Sequence, residues 1–326
     1  MGFASQWSQY FPPKPTFTEK DVPPGSQQGN VFIITGANQG IGLELVKMLY
    51  PTGATIYLAG RSRERVEQAI KDVTESQKSE STPSILKYLH LDLNDLSTIK
   101  ASAAAFAAQE KKLNILWNNA GIGVEAQGTT TKQNIKVQVG INCIAPLLFT
   151  QELLPQLQEA AKTATAGSVR VIWTGSLTIE SFAPSQGLIY ESLEKGKTTW
   201  PIVDYAMSKV GNWYLAVEAA QRWGKYGIVS VVQNPGNVLT NIYSSQPTLV
   251  MIILKTLLLY EPKMGGYTLL FSGFTPELDI EKNNGAYIRP WGVLAPCGRA
   301  DLYKKIEQGA ATEFWEWCEK QYQRHV

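Results

Sequence analysis

The chain has 326 residues, 44% hydrophobic and 10% aromatic, which is enough apolar mass for one large α/β domain or two small ones and too much for disorder outside the ends. A formal net charge of +2 gives no electrostatic footprint for nucleic acid. Three scattered cysteines (Cys143, Cys297, Cys318) and two histidines (His90, His325) leave no disulfide framework, no metal-ligand spacing and no Ser–His–Asp triad; the unpaired thiols fit a reducing, cytoplasmic setting.

Residues 1–29 hold many of the prolines and read as an extended N-terminal arm. Their first residues have neither a basic stretch nor an apolar core, so they do not read as a secretory signal. Gln6 stands where a myristoylation motif wants Ser or Thr. From Val31 a rhythm begins. Val31–Thr35 is a short apolar β-run, and a Gly-rich turn leads into a periodic helix from about Ile41 to Tyr50, closed by Pro51 and Gly53. Thr55–Ala59 is the next strand, followed by a charged helix from about Ser62. Ile85–Leu89 is a third strand, and Asp95 and Ser97 open an Ala-rich helix to about Gln109.

Leu113–Trp117 is a fourth strand, with helical stretches at about 131–140 and 143–160. Val169–Thr174 is a fifth, ending near Ser176. A helix from about Asp204 to Trp223 precedes a sixth, Ile228–Gln233, and a last strand is expected near Ala286–Arg289. Strands alternating with helices of this length imply βαβ units: α/β, one doubly wound parallel sheet of about seven strands, with helices on both faces. Residues 30–326 then form a single domain, interrupted by weakly periodic insertions at 177–203 and 240–282. Both follow strands, so both belong at the carboxyl edge of the sheet, where open α/β folds bind ligands.

Three groups of residues carry chemistry. The first is Thr35-Gly36-Ala37-Asn38-Gln39-Gly40-Ile41-Gly42, between the first strand and the first helix. Gly36 permits a tight turn, Gly40 lets the backbone approach a pyrophosphate, and Gly42 lets helix and strand pack. The positive end of the helix then faces the phosphates. The second is Tyr205-Ala206-Met207-Ser208-Lys209. Its i,i+4 spacing, in the first turns of a patterned helix, puts the phenol and the ammonium on one face. A nearby ammonium favours phenolate, so Tyr205 becomes a usable acid and base. Tyr10 and Lys14 share the spacing, but they fall in the Pro-rich arm, where no helix is expected. The third is Ser176, whose hydroxyl can bond an oxygen as charge develops on it.

These residues, with Asn118-Asn119-Ala120-Gly121, Leu91-Asp92-Leu93 and Pro235-Gly236-Asn237-Val238, resemble the motifs of the short-chain dehydrogenase/reductase family, in that family's order, from about Val31 to Thr240. The longer 177–203 stretch is similar to that of the retinol-dehydrogenase-like branch and of many fungal members. The resemblance implies a Rossmann-type catalytic domain. Gly36, Asn38, Gln39, Gly40 and Ile41 would hold the pyrophosphate side of a nicotinamide dinucleotide. Asp92 would read the adenine amino group, and Asn119, Ala120 and Gly121 would border the adenosine. Pro235, Gly236, Val238 and Thr240 would border the carboxamide. Lys209 would also hold the ribose hydroxyls, and Asn142 a water linking that lysine to solvent.

An acid at the end of the second strand would hold a ribose 2′-OH. Here Gly60 is followed by Arg61, Ser62 and Arg63, so the cofactor expected is NADP(H), with Arg61 on the 2′-phosphate. The expected activity is an NADP-dependent oxidoreductase of the carbonyl reductase kind, working in secondary metabolism on a bulky apolar carbonyl or alcohol. Leu177, Phe182, Tyr190, Trp200, Tyr243, Leu249, Met251 and Ile252 supply the pocket walls. Alternatives stay open: action on an imine or C=C bond, or a non-catalytic dinucleotide-binding regulator. The apolar run 249–260 reads either as a substrate lid or as a surface for a partner or for peripheral membrane contact. The resemblance also implies a possible homodimer through helices 143–160 and 205–223, a contact that the Pro-rich arm could block or extend.

Overall fold

A computed structural model describes residues 3–195, 200–239 and 259–326. The chain-order rhythm becomes a single sheet. Its strands are β1 (Val31–Thr35), β2 (Thr55–Gly60), β3 (Ile85–His90), β4 (Ile115–Asn118), β5 (Val169–Thr174), β6 (Ile228–Gln233), β7 (Tyr287–Arg289) and β8 (Val293–Leu294). Among the described residues their order is β3-β2-β1-β4-β5-β6-β7-β8. All neighbours are parallel except β7 and β8. The expected seven strands gain an eighth, a short antiparallel edge that two-residue periodicity is too brief to reveal.

Alternation along the buried strands feeds two cores. Val31 and Ile33 face one; Phe32 and Ile34 face the other. Because both faces are covered, β1, β4, β5 and β6 are buried at every position and are mostly apolar, without a polar alternation. On the second face lie α2 (Gly40–Leu49) and α3 (Arg63–Ser76), after the arm's own α1 (Phe3–Tyr10). On the first face lie α4 (Ile99–Ala107), the segment α5 (Val137–Val139), α6 (Ala145–Glu152) and α7 (Leu154–Ala161), and the long α10 (Pro201–Trp223), preceded by α8 (Thr178–Ser181) and α9 (Tyr190–Lys195). Then come α11 (Pro262–Phe274), α12 (Ala300–Glu307) and α13 (Ala310–Tyr322).

Several expectations need correction. The arm is not extended throughout: Phe3–Tyr10 is helical and Glu19–Asp21 forms a 3-10 turn. Prolines begin only at Pro12, so nothing forbids a helix before them. Tyr10 therefore ends a helix, while Lys14 lies beyond it. Residues 131–136 are not helical; Thr130 and Lys136 form an isolated bridge, and Asn134 has a positive φ. Within 240–282, Pro262–Phe274 is a helix whose apolar residues run all round, so it carries no amphipathic period.

The outer face of α10 is covered by α13. Phe314, Trp315 and Cys318 are buried there, Trp315 packs on Trp223 with centroids 5.3 Å apart, and the Arg222 guanidinium lies 5.0 Å from the Trp315 ring. Gln151 of α6 donates to Glu319 of α13 at 2.7 Å. The outer face of α10 and the end of α6 are thus covered within one chain. No single helix among the described residues is long and apolar enough to cross a membrane.

Candidate active site

Strand order reverses between β1 and β4. The loops leaving these two strands therefore diverge and open a crevice at their carboxyl ends. The Gly-rich loop and the Asn118–Gly121 segment flank it. Asn119 Nδ2 donates to the Thr35 carbonyl at 2.8 Å and the Ala120 amide to Thr35 Oγ1 at 2.8 Å. Thr35 is thus the pin that joins the two loops. Gly36 and Gly40 have φ of +68° and +58°, conformations that disfavour any side chain. A Cβ on Gly42 would sit 2.8 Å from the Gly36 carbonyl oxygen. The cradle over the start of α2 therefore exists only because these positions lack side chains, which fits an approaching pyrophosphate.

Two contiguous cavities, both touching Gly121, fill the crevice. The outer one, about 250 Å³, is lined by Asn38, Gln39, Gly60, Arg61, Ser62, Arg65, Asp92, Ala120 and other residues of these loops. Among the described residues Asp92 is the single carboxylate on its wall, and it accepts the Asn94 amide at 3.1 Å. Arg63, named with Arg61 as a basic neighbour, turns away. It pairs with Glu67 at 2.7 Å and lies 5.6 Å from the Tyr88 ring centroid. Arg65 lines the cavity instead. Sequence reading passed over it, although it sits one turn into a helix whose N-cap, Ser62, faces the same space.

The inner cavity, about 370 Å³, gathers Ser176, Tyr205 and Lys209 with Asn119, Pro235, Gly236 and Val238. Ser176 stands two residues past the end of β5, and its Oγ accepts the Thr178 amide at 3.2 Å. Lys209 is buried and donates to the Thr174 carbonyl at 3.0 Å; its Nζ lies 5.6 Å from the Tyr205 ring centroid. Burial holds its ammonium down at about 8, because a low-dielectric setting penalises the charged form.

Asn142 sits in a π-helical turn, Gly140–Ile144, a distortion that often marks functional positions. Its side chain accepts from the Ile122 amide at 2.9 Å, and donates to the Ile122 carbonyl at 3.1 Å and to Ser208 Oγ at 2.9 Å. It ties the Gly121 loop to α10. Asn142 Oδ1 and Lys209 Nζ both approach the place where a Cβ on Gly121 would stand, at 3.0 and 3.5 Å. Gly121 keeps the space between amide and ammonium open.

One positioning contact escaped sequence reading. Asp204, the residue before Tyr205, forms an ion pair with Lys136 at 2.5 Å, with both side chains buried. The acid in the helix's first turn was visible; its partner, 68 positions earlier in an irregular segment, was not.

The remaining walls are mainly apolar, with Val124, Leu177, Phe182, Ile202, Val238, Leu259 and Tyr10, beside the polar Thr178, Ser181, Asn234 and Asn237. Leu177 and Phe182 line the cavity as expected. Tyr190 does not; it packs on Trp317 at 5.8 Å between centroids. Trp200 is 67% exposed and lies outside the lining. Tyr243, Leu249, Met251 and Ile252, with Thr240 and most of the 249–260 run, fall outside the described residues.

A family model described as short chain dehydrogenase matches residues 30–186. The chain is 56% identical over 320 residues to the short-chain dehydrogenase/reductase iacJ of Pestalotiopsis fici, covering 98% of each chain. It is 38% identical to a short-chain dehydrogenase/reductase of Phomopsis amygdali, over 98% of this chain and 97% of that one. Among solved structures it is similar to an NADPH-bound carbonyl reductase from chicken fatty liver, at 25% identity and a TM-score of 0.59, covering 83% of this chain and 99% of that one. It shares the fold of a 3-oxoacyl-[acyl-carrier protein] reductase from Brucella melitensis in complex with NAD, at 19% identity and a TM-score of 0.61, over 82% and 97% of the two chains.

Proposed function

The chain belongs to the short-chain dehydrogenase/reductase family, and from that premise we propose that it is an NADP(H)-dependent carbonyl reductase for bulky apolar ketones or aldehydes, with a role in secondary metabolism. One observation carries the reading. Ser176, Tyr205 and Lys209, brought from two separate segments, line one cavity whose other walls are mainly apolar.

The cofactor would lie with its pyrophosphate over the Gly-rich loop and its adenosine near Asp92 and Ala120. Its 2′-phosphate would meet Arg61, joined by Arg65, in a cavity where Asp92 is the one acid among the described residues. When bound in reduced form, the nicotinamide supplies a hydride to the carbonyl carbon. Ser176 Oγ donates a hydrogen bond to the carbonyl oxygen and stabilises charge as it develops there. Tyr205 then gives that oxygen its proton. The Lys209 ammonium, one helical turn along, favours the negative charge left on the phenol oxygen. Asn142, beside Lys209 across Gly121, would hold the water that returns a proton from solvent.

The mainly apolar wall favours bulky apolar substrates over small polar ones, whose hydroxyls would find few partners there. The three cysteines, all buried and unpaired, support a reducing compartment such as the cytoplasm. The occupied outer faces of α6 and α10 support a monomer.

Purified protein, offered NADPH or NADH with aromatic and polycyclic ketones, tests the reading through absorbance at the nicotinamide band. NADPH consumption that needs an apolar ketone is the expected outcome. Equal use of NADH would remove the cofactor assignment, and inertness toward every carbonyl would remove the activity.

A further inference from the structure

The N-terminal helix α1, whose last residue Tyr10 lines the inner cavity, is fastened in place by a buried polar chain. Gln9 is 1% exposed. Its Nε2 donates to Glu180 Oε1 at 2.5 Å, and its Oε1 accepts from Asn234 Nδ2 at 2.7 Å. Ser5 Oγ donates to the same carboxylate at 3.0 and 3.1 Å, and the Gly298 amide at 2.8 Å. Glu180 stands four residues after Ser176. Asn234 immediately precedes Pro235-Gly236, and its Oδ1 accepts the Gly236 amide at 3.0 Å. One glutamine thus joins the loop that carries the candidate oxyanion donor to the loop expected to border the carboxamide.

Such a chain is costly to break. A buried carboxylate that loses a donor pays its desolvation uncompensated. The helix is therefore held in one place, and its last residue, Tyr10, is placed on the cavity wall. The Tyr10 carbonyl is itself held by the Tyr260 hydroxyl at 3.2 Å. Tyr10 shares that wall with the apolar Val124, Phe182, Ile202 and Leu259 and with the polar Thr178, Ser181, Asn234 and Asn237.

We propose that Tyr10 is a specificity-determining residue, its ring stacking on a planar, multi-ring substrate, and that the Gln9–Glu180–Asn234 chain is the latch that positions it. This rests on the carbonyl reductase reading given above. A planar multi-ring ketone offers a face for the phenol ring and apolar edges for the aliphatic wall. A compact ketone reaches Ser176 and Tyr205 without touching α1.

The test compares a tricyclic quinone, 9,10-phenanthrenequinone, with cyclohexanone. In Tyr10→Ala, kcat/KM for the quinone should fall about tenfold, mainly through KM, while that for cyclohexanone falls about threefold or less. NADPH affinity, read by fluorescence, should stay unchanged. Tyr10→Phe, which keeps the ring, should restore the preference. Equal losses for both ketones, or none, would overturn the proposal.

A second measurement needs no turnover and no variant. Amide exchange in residues 5–11 of the wild-type protein should slow when the quinone is added with NADP⁺ and not when cyclohexanone is added. Unchanged exchange in α1 would overturn the proposal by itself. Slowed exchange without any turnover would keep α1 as a binding wall and reject the reductase reading instead.

Discussion

The two ends of the crevice are built in opposite ways. The cofactor end comes from four short loops, one leaving each of β1 to β4, and each loop is contiguous in sequence. The substrate end is assembled from residue 10, residue 124, the 176–182 turn, residues 202–209, residues 235–238 and residue 259. Local backbone geometry makes the first; long-range packing makes the second. A site of the first kind has few solutions in sequence, so its pattern recurs. A site of the second kind can change one wall while the others stay.

The reacting groups sit where the two ends meet, so the largest effects are expected there. Lys209→Met should cost roughly 10²- to 10⁴-fold in kcat, the usual span for acid–base machinery. A loss under about tenfold would move the proton path elsewhere. Ser176→Ala should cost roughly 10²- to 10³-fold in kcat with KM little changed, as for loss of an oxyanion donor. A loss confined to KM would make Ser176 a mere binding contact. At the cofactor end, Arg61→Ala should raise the NADPH KM about 10- to 100-fold while leaving that for NADH nearly unchanged, because a charge-assisted bond to phosphate is worth about 1.5–3 kcal/mol. Equal effects on both cofactors would contradict a 2′-phosphate at Arg61.

Lys209 also gives a stability prediction of smaller size. Its ammonium is held down at about 8 in the folded chain, against an ordinary 10.5. Between these two values the unfolded chain binds more protons, so this residue's contribution to stability rises with pH across that window. Below pH 8 both states are charged and the desolvation cost is fully present. Lys209→Met should therefore be at least as stable as the wild type at pH 7, with the gap closing towards pH 10. Thermal melts across that range check the sign; a variant that is much less stable at pH 7 would show that the bond to Thr174 outweighs the burial cost.

How much of this was legible in the sequence follows the same division. The parallel sheet, the Gly-rich cradle and the Tyr205/Lys209 pair on one helical face could be read from runs, turns and i,i+4 spacing, whereas Asp92 came only with the family resemblance. Arg65 was missed because Arg61 and Arg63 stand beside Ser62 in sequence, and only the helix phase shows that Arg65, three positions past Ser62, lines the crevice while Arg63 turns to Glu67. Tyr10 was missed because the prolines after it coloured the whole arm as extended. The Lys136–Asp204 pair and the latch through Gln9, Glu180 and Asn234 join segments 68 to 225 positions apart. No local pattern encodes such contacts. Tyr190 and Trp200 show the converse error: large aromatics near the site in sequence, one packed beneath α13 and the other facing solvent.

The covering of α6 and α10 by α13 is the weakest test in energy and the plainest in readout. Sedimentation should return the mass of one chain, and a concentration-dependent dimer would mean another face is used.

The most direct measurement of the acid–base assignment is the single-turnover rate of NADPH oxidation with a polycyclic ketone, in wild type and in Tyr205→Phe, at equal cofactor occupancy. Removing one hydroxyl leaves the ring packing and the cofactor groove in place. The expected result is a loss of roughly 10²- to 10⁴-fold in rate with cofactor affinity unchanged. A variant that turns over at the wild-type rate would show that the proton comes from another group and that the pairing of Tyr205 with Lys209 is structural.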